Sequence, residues 1–254
     1  MNRDTDVRVE SPPPRACVRA AAFPMIGLEQ PVDRARAVSL LRAACTQGNW
    51  IGCVYEIIAC GKRDGGCDAQ VALDILDQRG SVVKRACYDE GNGDACLLLV
   101  FDGLRQSPKV PRAELLALLD KSCKLGALDG CTVNGMTSFF EASPGHEIEL
   151  AAYEYACERG NGEACGAVAN SYGIDARERR PQKELYLDKA CHSEPSAYYL
   201  GGSMGGVPML ATTCGSLFRA LENSDDPAEK ARSEEAKRLS CKLGAAPACA
   251  LLEK

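Results

Sequence analysis

Residues 122–131 read SCKLGALDGC, residues 156–165 read ACERGNGEAC and residues 240–249 read SCKLGAAPAC. In each stretch a small residue precedes a cysteine, a glycine follows it three positions on, and a second cysteine stands eight positions on. A glycine at that place accepts the left-handed backbone that stops a helix. The stretch therefore reads as a corner between two helices, bracketed by cysteines. The same eight-position interval separates Cys45 from Cys53, and nine positions separate Cys87 from Cys96.

Between corners the cysteines keep a second, longer interval. It is 28 positions from Cys17 to Cys45, 34 from Cys53 to Cys87, 27 from Cys96 to Cys123, and 26 from Cys131 to Cys157 and from Cys165 to Cys191. Cys214 lies 27 positions before Cys241 and so opens a further repeat. That makes HSEPSAYYLGGSMGGVPMLATT, residues 192–213, an enlarged corner about 15 residues longer than the others. The 34-position interval carries its excess of about seven residues around CGKRDGGC, residues 60–67.

Flanking columns agree with this register. Ala44, Ala86, Ser122, Ala156, Ala190 and Ser240 precede the first cysteines, and Gly52, Ala95, Gly130, Ala164, Thr213 and Ala248 precede the second. All are small, as closely packed helix ends require. One helical turn before the first cysteine stand Leu41, Val83, Leu119, Tyr153 and Leu187, with only Lys237 out of pattern. Pro31, Pro111, Pro181 and Pro227 mark helix starts, Asp226 supplies an N-cap, and Gly48, Gly126, Gly160 and Gly244 mark helix ends. Each long interval thus holds a helix A, a short loop and a helix B. The expectation is an all-α solenoid of about six helix pairs over residues 17–254, starting near residues 17, 53, 96, 131, 165 and 214, with a partial last helix at 249–254 and an N-terminal extension at 1–16.

The totals place this array among soluble globular chains: 46% hydrophobic and 26% charged residues, with a formal charge of -5. Acidic and basic residues are interspersed, which argues against a nucleic-acid partner, and no apolar run reaches the length of a membrane span. Fifteen cysteines point to an oxidising compartment, hence to a secreted or periplasmic chain. The start MNRDTDVRVESPPPRAC lacks the apolar core of a signal peptide, so export implies a signal absent from this chain. The rival expectation is a cytoplasmic protein with reduced, buried cysteines.

With these corners, the repeat of about 35 residues resembles the Sel-1-like repeat, a relative of the tetratricopeptide repeat, and the corners match its cysteine-rich, secreted Hcp-type branch. The resemblance runs from about Cys17 onward. It implies a right-handed α/α solenoid with disulfides at the corners, pairing Cys45 with Cys53, Cys87 with Cys96, Cys123 with Cys131, Cys157 with Cys165, Cys191 with Cys214 and Cys241 with Cys249. Cys60 and Cys67 then form a local staple, or Cys17 reaches Cys60 and Cys67 is left over. The helix A pattern of the family is retained only in fragments, such as DGLRQSPKVPRAE at residues 102–114.

Catalytic groups are sparse. Seven residues between corner cysteines do not fit a structural zinc site, no C-x-x-C redox pair occurs, and no cofactor motif appears. The two histidines, His146 and His192, stand far apart in the array. Ser81-Val-Val-Lys84 matches the S-x-x-K string of penicillin-recognising enzymes, and a β-lactam-binding or β-lactamase-like activity is the alternative it raises. The leading expectation is a non-catalytic scaffold that binds another protein, exported from a bacterium, in its sharpest form an immunity or inhibitor protein for a cognate effector. Candidate contacts are Tyr198, Tyr199, Met204 and Met209 in the enlarged corner, and the aromatics Tyr55, Phe101 and Tyr172 in or just after helix A. Phe139 and Phe218 share that setting and read as core residues.

Overall fold

The computed structural model describes residues 21, 33–60, 70–105, 110–139, 146–172, 180–193 and 209–252. Twelve helices run through them: α1 (Arg34–Thr46), α2 (Trp50–Cys60), α3 (Gln70–Tyr88), α4 (Gly93–Arg105), α5 (Arg112–Lys124), α6 (Leu128–Phe139), α7 (His146–Glu158), α8 (Gly162–Ser171), α9 (Arg180–Cys191), α10 (Met209–Leu221), α11 (Pro227–Lys242) and α12 (Ala246–Leu252). No strand occurs among the described residues. Each helix packs on the next, and alternate helices also touch, as in α2 with α4, α4 with α6 and α8 with α10. Helices with even numbers form one layer and those with odd numbers the other. The fold is an α/α solenoid.

The corners follow one hydrogen-bonding scheme. The N–H of Gly48, Gly126, Gly160 and Gly244 donates to the carbonyl of the corner's first cysteine, at 3.0, 2.9, 2.9 and 2.8 Å. The next N–H reaches back to the small residue before that cysteine: Asn49 to Ala44, Ala127 to Ser122, Asn161 to Ala156 and Ala245 to Ser240, at 3.0 to 3.1 Å. This is the Schellman closure, and it needs the positive φ of those glycines, 83° to 94°. In the nine-position corner the turn is one residue longer, Gly91 takes φ 69°, and Asn92 reaches Ala86 at 2.8 Å.

Asn49, Asn92 and Asn161 then cap the following helix, their side-chain oxygens accepting from the N–H of Gly52, Ala95 and Ala164 at 3.4, 3.0 and 2.9 Å. Helix A consequently begins about one turn before its cysteine rather than at it. Pro111 and Asp226 immediately precede α5 and α11, and the Asp226 carboxylate accepts from the Ala228 N–H at 2.8 Å. Pro181 is the second residue of α9.

Six disulfides close the corners: Cys45–Cys53, Cys87–Cys96, Cys123–Cys131, Cys157–Cys165, Cys191–Cys214 and Cys241–Cys249. Each ties the end of an odd helix to the first turns of the next even one, with Cα atoms 4.4 to 4.9 Å apart. So close an approach leaves no room for larger side chains. A Cβ added at Gly52 would lie 2.8 Å from the Ala44 Cβ, and one at Gly93 would lie 2.7 Å from the Ser122 carbonyl oxygen. Small hydroxyls add cross-links within a repeat: Ser122 Oγ donates to the Gly93 carbonyl at 2.8 Å and Ser240 Oγ to that of Ala211 at 2.7 Å.

Two apolar clusters fill the space between the layers. The first centres on Leu41, Val54, Val83, Leu97, Leu98 and Leu119, the second on Tyr153, Val168, Leu187, Leu210, Leu217 and Leu221. Helix α3 departs from the plain pattern, because Arg79 has non-helical angles (φ -122°, ψ 18°) just before Gly80 and kinks it. Six bridges across buried corners favour an oxidising environment. No described helix is long and apolar enough to cross a membrane.

Candidate functional site

Two positions before the second cysteine of a corner, in the first turn of the even helix, stand Asp94 on α4, Asp129 on α6 and Glu163 on α8. The corner geometry puts the same register position of successive helices side by side, so the three carboxylates line up along one face. Tyr55 of α2 joins them, its hydroxyl donating to Asp129 Oδ2 at 2.6 Å. Packed helices lie roughly 8–10 Å apart, so α2 and α6, separated by α4, would stand about 20 Å apart in a flat layer. A direct hydrogen bond between them means that the layer curls with this face inward. Tyr55 is the residue that spans the curl.

Tyr55 is 4% exposed and Glu163 is 1% exposed, whereas Asp94 and Asp129 are half-buried. Burial is the first reason that the Tyr55 hydroxyl holds its proton far above the usual tyrosine range; the charge of Asp129 and its hydrogen bond come next, then Asp94 and Glu163. The column therefore sets the acids beside one committed donor, the Tyr55 hydroxyl. Each acid sits in the first turn of its helix, where the N-terminal dipole offsets the negative charge. Farther along, the equivalent face of α10 carries Thr212, Ser216 and Arg219, all exposed. Tyr55 closes the inner face between α2 and α6.

Polar cross-links also join the two layers. Arg42 Nε holds the fully buried Glu56 carboxylate at 2.8 Å between α1 and α2. Arg180 bonds Glu184 at 2.6 Å and donates to the Ala220 carbonyl at 2.7 Å, beside a polar cleft of about 460 Å³ lined also by Pro181, Asn223, Ser224 and Glu229. Among the described residues no group of His, Cys, Asp and Glu has the arrangement of a metal site.

The residues singled out from sequence are placed as follows. The twelve corner cysteines form the six bridges described above. Cys60 is disulfide-bonded as well, and since the other described cysteines are all taken, its partner is Cys17 or Cys67, both outside the described residues. Tyr198, Tyr199 and Met204 also lie outside them, and Met209 opens α10. Of the aromatics, Tyr55 is committed to Asp129, which leaves almost none of it for a partner. Phe101 and Tyr172 are partly buried against the two cores, and the Tyr172 ring stacks on Tyr186 with centroids 6.0 Å apart. Ser81 and Lys84 are both solvent-exposed on α3 beyond its kink, with no enclosing wall that would exclude water from a nucleophile. Sequence reasoning missed the inner acids. The signal was present, as Asp, Asp and Glu recurring at one register position in three consecutive repeats.

Helix pairs in two layers, disulfide-closed at every described corner, define the class by fold: a cysteine-rich α/α solenoid whose corner sequences resemble those of the Sel-1-like repeat. Two solved structures share this fold. A Pseudomonas aeruginosa protein, PA5086, is similar over 94% of this chain and 85% of its own, at 18% identity and a TM-score of 0.56. The immunity protein Pa5087 from Pseudomonas aeruginosa is similar over 94% and 86%, at 16% identity and a TM-score of 0.50. A Sel1 repeat protein from Oxalobacter formigenes aligns over 89% and 88% at 11% identity, with a TM-score of 0.45. No family model matches the sequence, and no curated protein matches it.

Proposed function

We propose that this chain is a non-catalytic binding scaffold, exported from a bacterium, that recognises another protein and acts as an immunity or inhibitor protein toward a cognate effector. The observation that carries this reading is the array of covalently closed corners, which presents a preformed surface and so lowers the ordering cost of binding. The fold shared with an immunity protein is consistent with the sharper form of the reading. The exposed setting of Ser81 and Lys84 lends the β-lactam alternative no support.

The test joins binding to protection. The oxidised protein is mixed with exported proteins of the bacterium that carries it, and any stoichiometric partner is identified by native mass spectrometry. That partner is then expressed in susceptible cells with and without the exported scaffold. The expected result is a one-to-one complex and restored growth, with the complex weakened at least tenfold by reductant, which opens the corners that hold the surface preformed. The absence of a stoichiometric partner, or a partner whose toxicity the scaffold leaves unchanged, overturns the immunity reading.

A further inference from the structure

His192 closes the C-terminal end of α9 and is the last residue but one before the segment 194–208. Its Nδ1 lies 3.0 Å from the Asp188 backbone carbonyl oxygen, and its Nε2 lies 3.4 Å from Glu235 Oε1 on α11. Both neighbours are acceptors. A neutral imidazole has one N–H and one lone pair, so in either tautomer one ring nitrogen would direct its lone pair at an oxygen. Only the imidazolium, with two N–H donors, satisfies both contacts. Beside this contact a second one crosses between the same helices, from Arg232 Nη2 of α11 to Asp188 Oδ1 of α9 at 3.1 Å.

We propose that His192 is the proton-operated half of a clasp that fastens α9 to α11 at the root of the enlarged corner, closed when the imidazole is charged and released when it is neutral. The surrounding charges fit this role. From its own helix His192 meets Asp188, whose carboxylate is 3.9 Å away, while Lys189 lies over the Tyr186 ring. From α11 it meets Glu235, and Arg232 is held by Asp188. Helices α8 and α10 also pack on α9; their charged residues, Glu163 and Arg219, make no hydrogen bond or ion pair with His192. The position at the end of a helix, among unsatisfied carbonyls, favours positive charge as well. Partial burial works against the charged form, but the Asp188 carbonyl and carboxylate and the Glu235 carboxylate outweigh it, and the imidazole holds its proton above the ordinary histidine range.

Because the folded protein binds this proton more tightly than the unfolded chain, the clasp contributes fully below the ordinary histidine pKa of about 6.5. It is lost as pH rises through the higher folded value.

The test uses the full oxidised chain. Side-chain NMR follows the two histidines, His146 and His192, with H192Q supplying the assignment. The expected His192 midpoint lies above 6.5 and falls by at least about half a unit in E235Q. Amide hydrogen exchange, corrected for its intrinsic pH dependence, should be slower at the end of α9 and in the middle of α11 at about pH 5.5 than at about pH 8.5, and H192Q should abolish that difference. A midpoint at or below 6.5, a midpoint that E235Q does not move, or an exchange difference that persists in H192Q overturns the proposal.

Discussion

Replacing Tyr55 by phenylalanine removes one oxygen atom and tests how the array curls. The Tyr55–Asp129 contact is a 2.6 Å hydrogen bond to a carboxylate, made by a side chain that is 4% exposed and joins helices two repeats apart. Bonds of this charge-assisted kind contribute about 1.5–3 kcal/mol, and the aromatic ring, which phenylalanine keeps, supplies the packing. The expected cost of Y55F is therefore about 2 kcal/mol, or roughly 4–8 °C in Tm for a chain of this size. Urea denaturation of the oxidised protein at pH 7 gives the free energies of wild type, Y55F, D129A and Y55F/D129A. The double substitution should fall short of the sum of the single ones by at least about 1 kcal/mol. A cost of Y55F below about 0.5 kcal/mol, or strict additivity, would refute the inference that this bond holds the inner face closed. The pH dependence has a definite sign too. The folded hydroxyl holds its proton above the ordinary value of 10, so its contribution is complete below pH 10 and is lost as pH rises beyond it. Y55F has no such contribution to lose.

Opening a single eight-position corner by the pair C45S/C53S should cost about 2.5 kcal/mol, the loop-closure value, and lower the Tm measured without reductant. Added reductant should lower the wild-type Tm by more than that single pair does; an unchanged Tm would mean that the bridges do not hold the stack. Gly93→Ala should destabilise by about 1–3 kcal/mol through overpacking against the Ser122 carbonyl and Ala127, as read from calorimetry. Gly126→Ala meets no atom within 4 Å but must hold φ 86°, so its cost should be about 1–2 kcal/mol, and Gly126→Asn, which tolerates that backbone, should recover part of it.

The corners were legible in the sequence because their chemistry is local. A glycine three residues past Cys123, Cys157 or Cys241 and a small residue just before it determine a turn that the following ten residues complete by themselves. The asparagine caps belong to the same short stretch. What could not be read were contacts that depend on how repeats stack. Asp94, Asp129 and Glu163 can be seen to share a register position, but that they face inward, and that Tyr55 reaches past α4 to Asp129, follows from the curl of the layer. No spacing within one repeat encodes that curl. The same limit applies to His192, whose partner Glu235 lies 43 positions on, in a helix whose alternating charges look like a solvated surface. Helix starts were displaced by a turn because the cysteines are the conspicuous letters, whereas the cap four residues earlier decides where the helix begins.

Five of the bridges share a property that bears on how the protein is made. From Cys87 to Cys249 each cysteine is joined to the next one along the chain, and no bridge in this run encloses or crosses another. A chain emerging from its N-terminus therefore offers each of these pairs to an oxidant before the following pair has appeared. In this run first-come pairing is native pairing. Such a molecule can be oxidised as a zipper is drawn, corner by corner, with little need for reshuffling afterwards. The 23-position gap between Cys191 and Cys214 is the one place where the slider must wait.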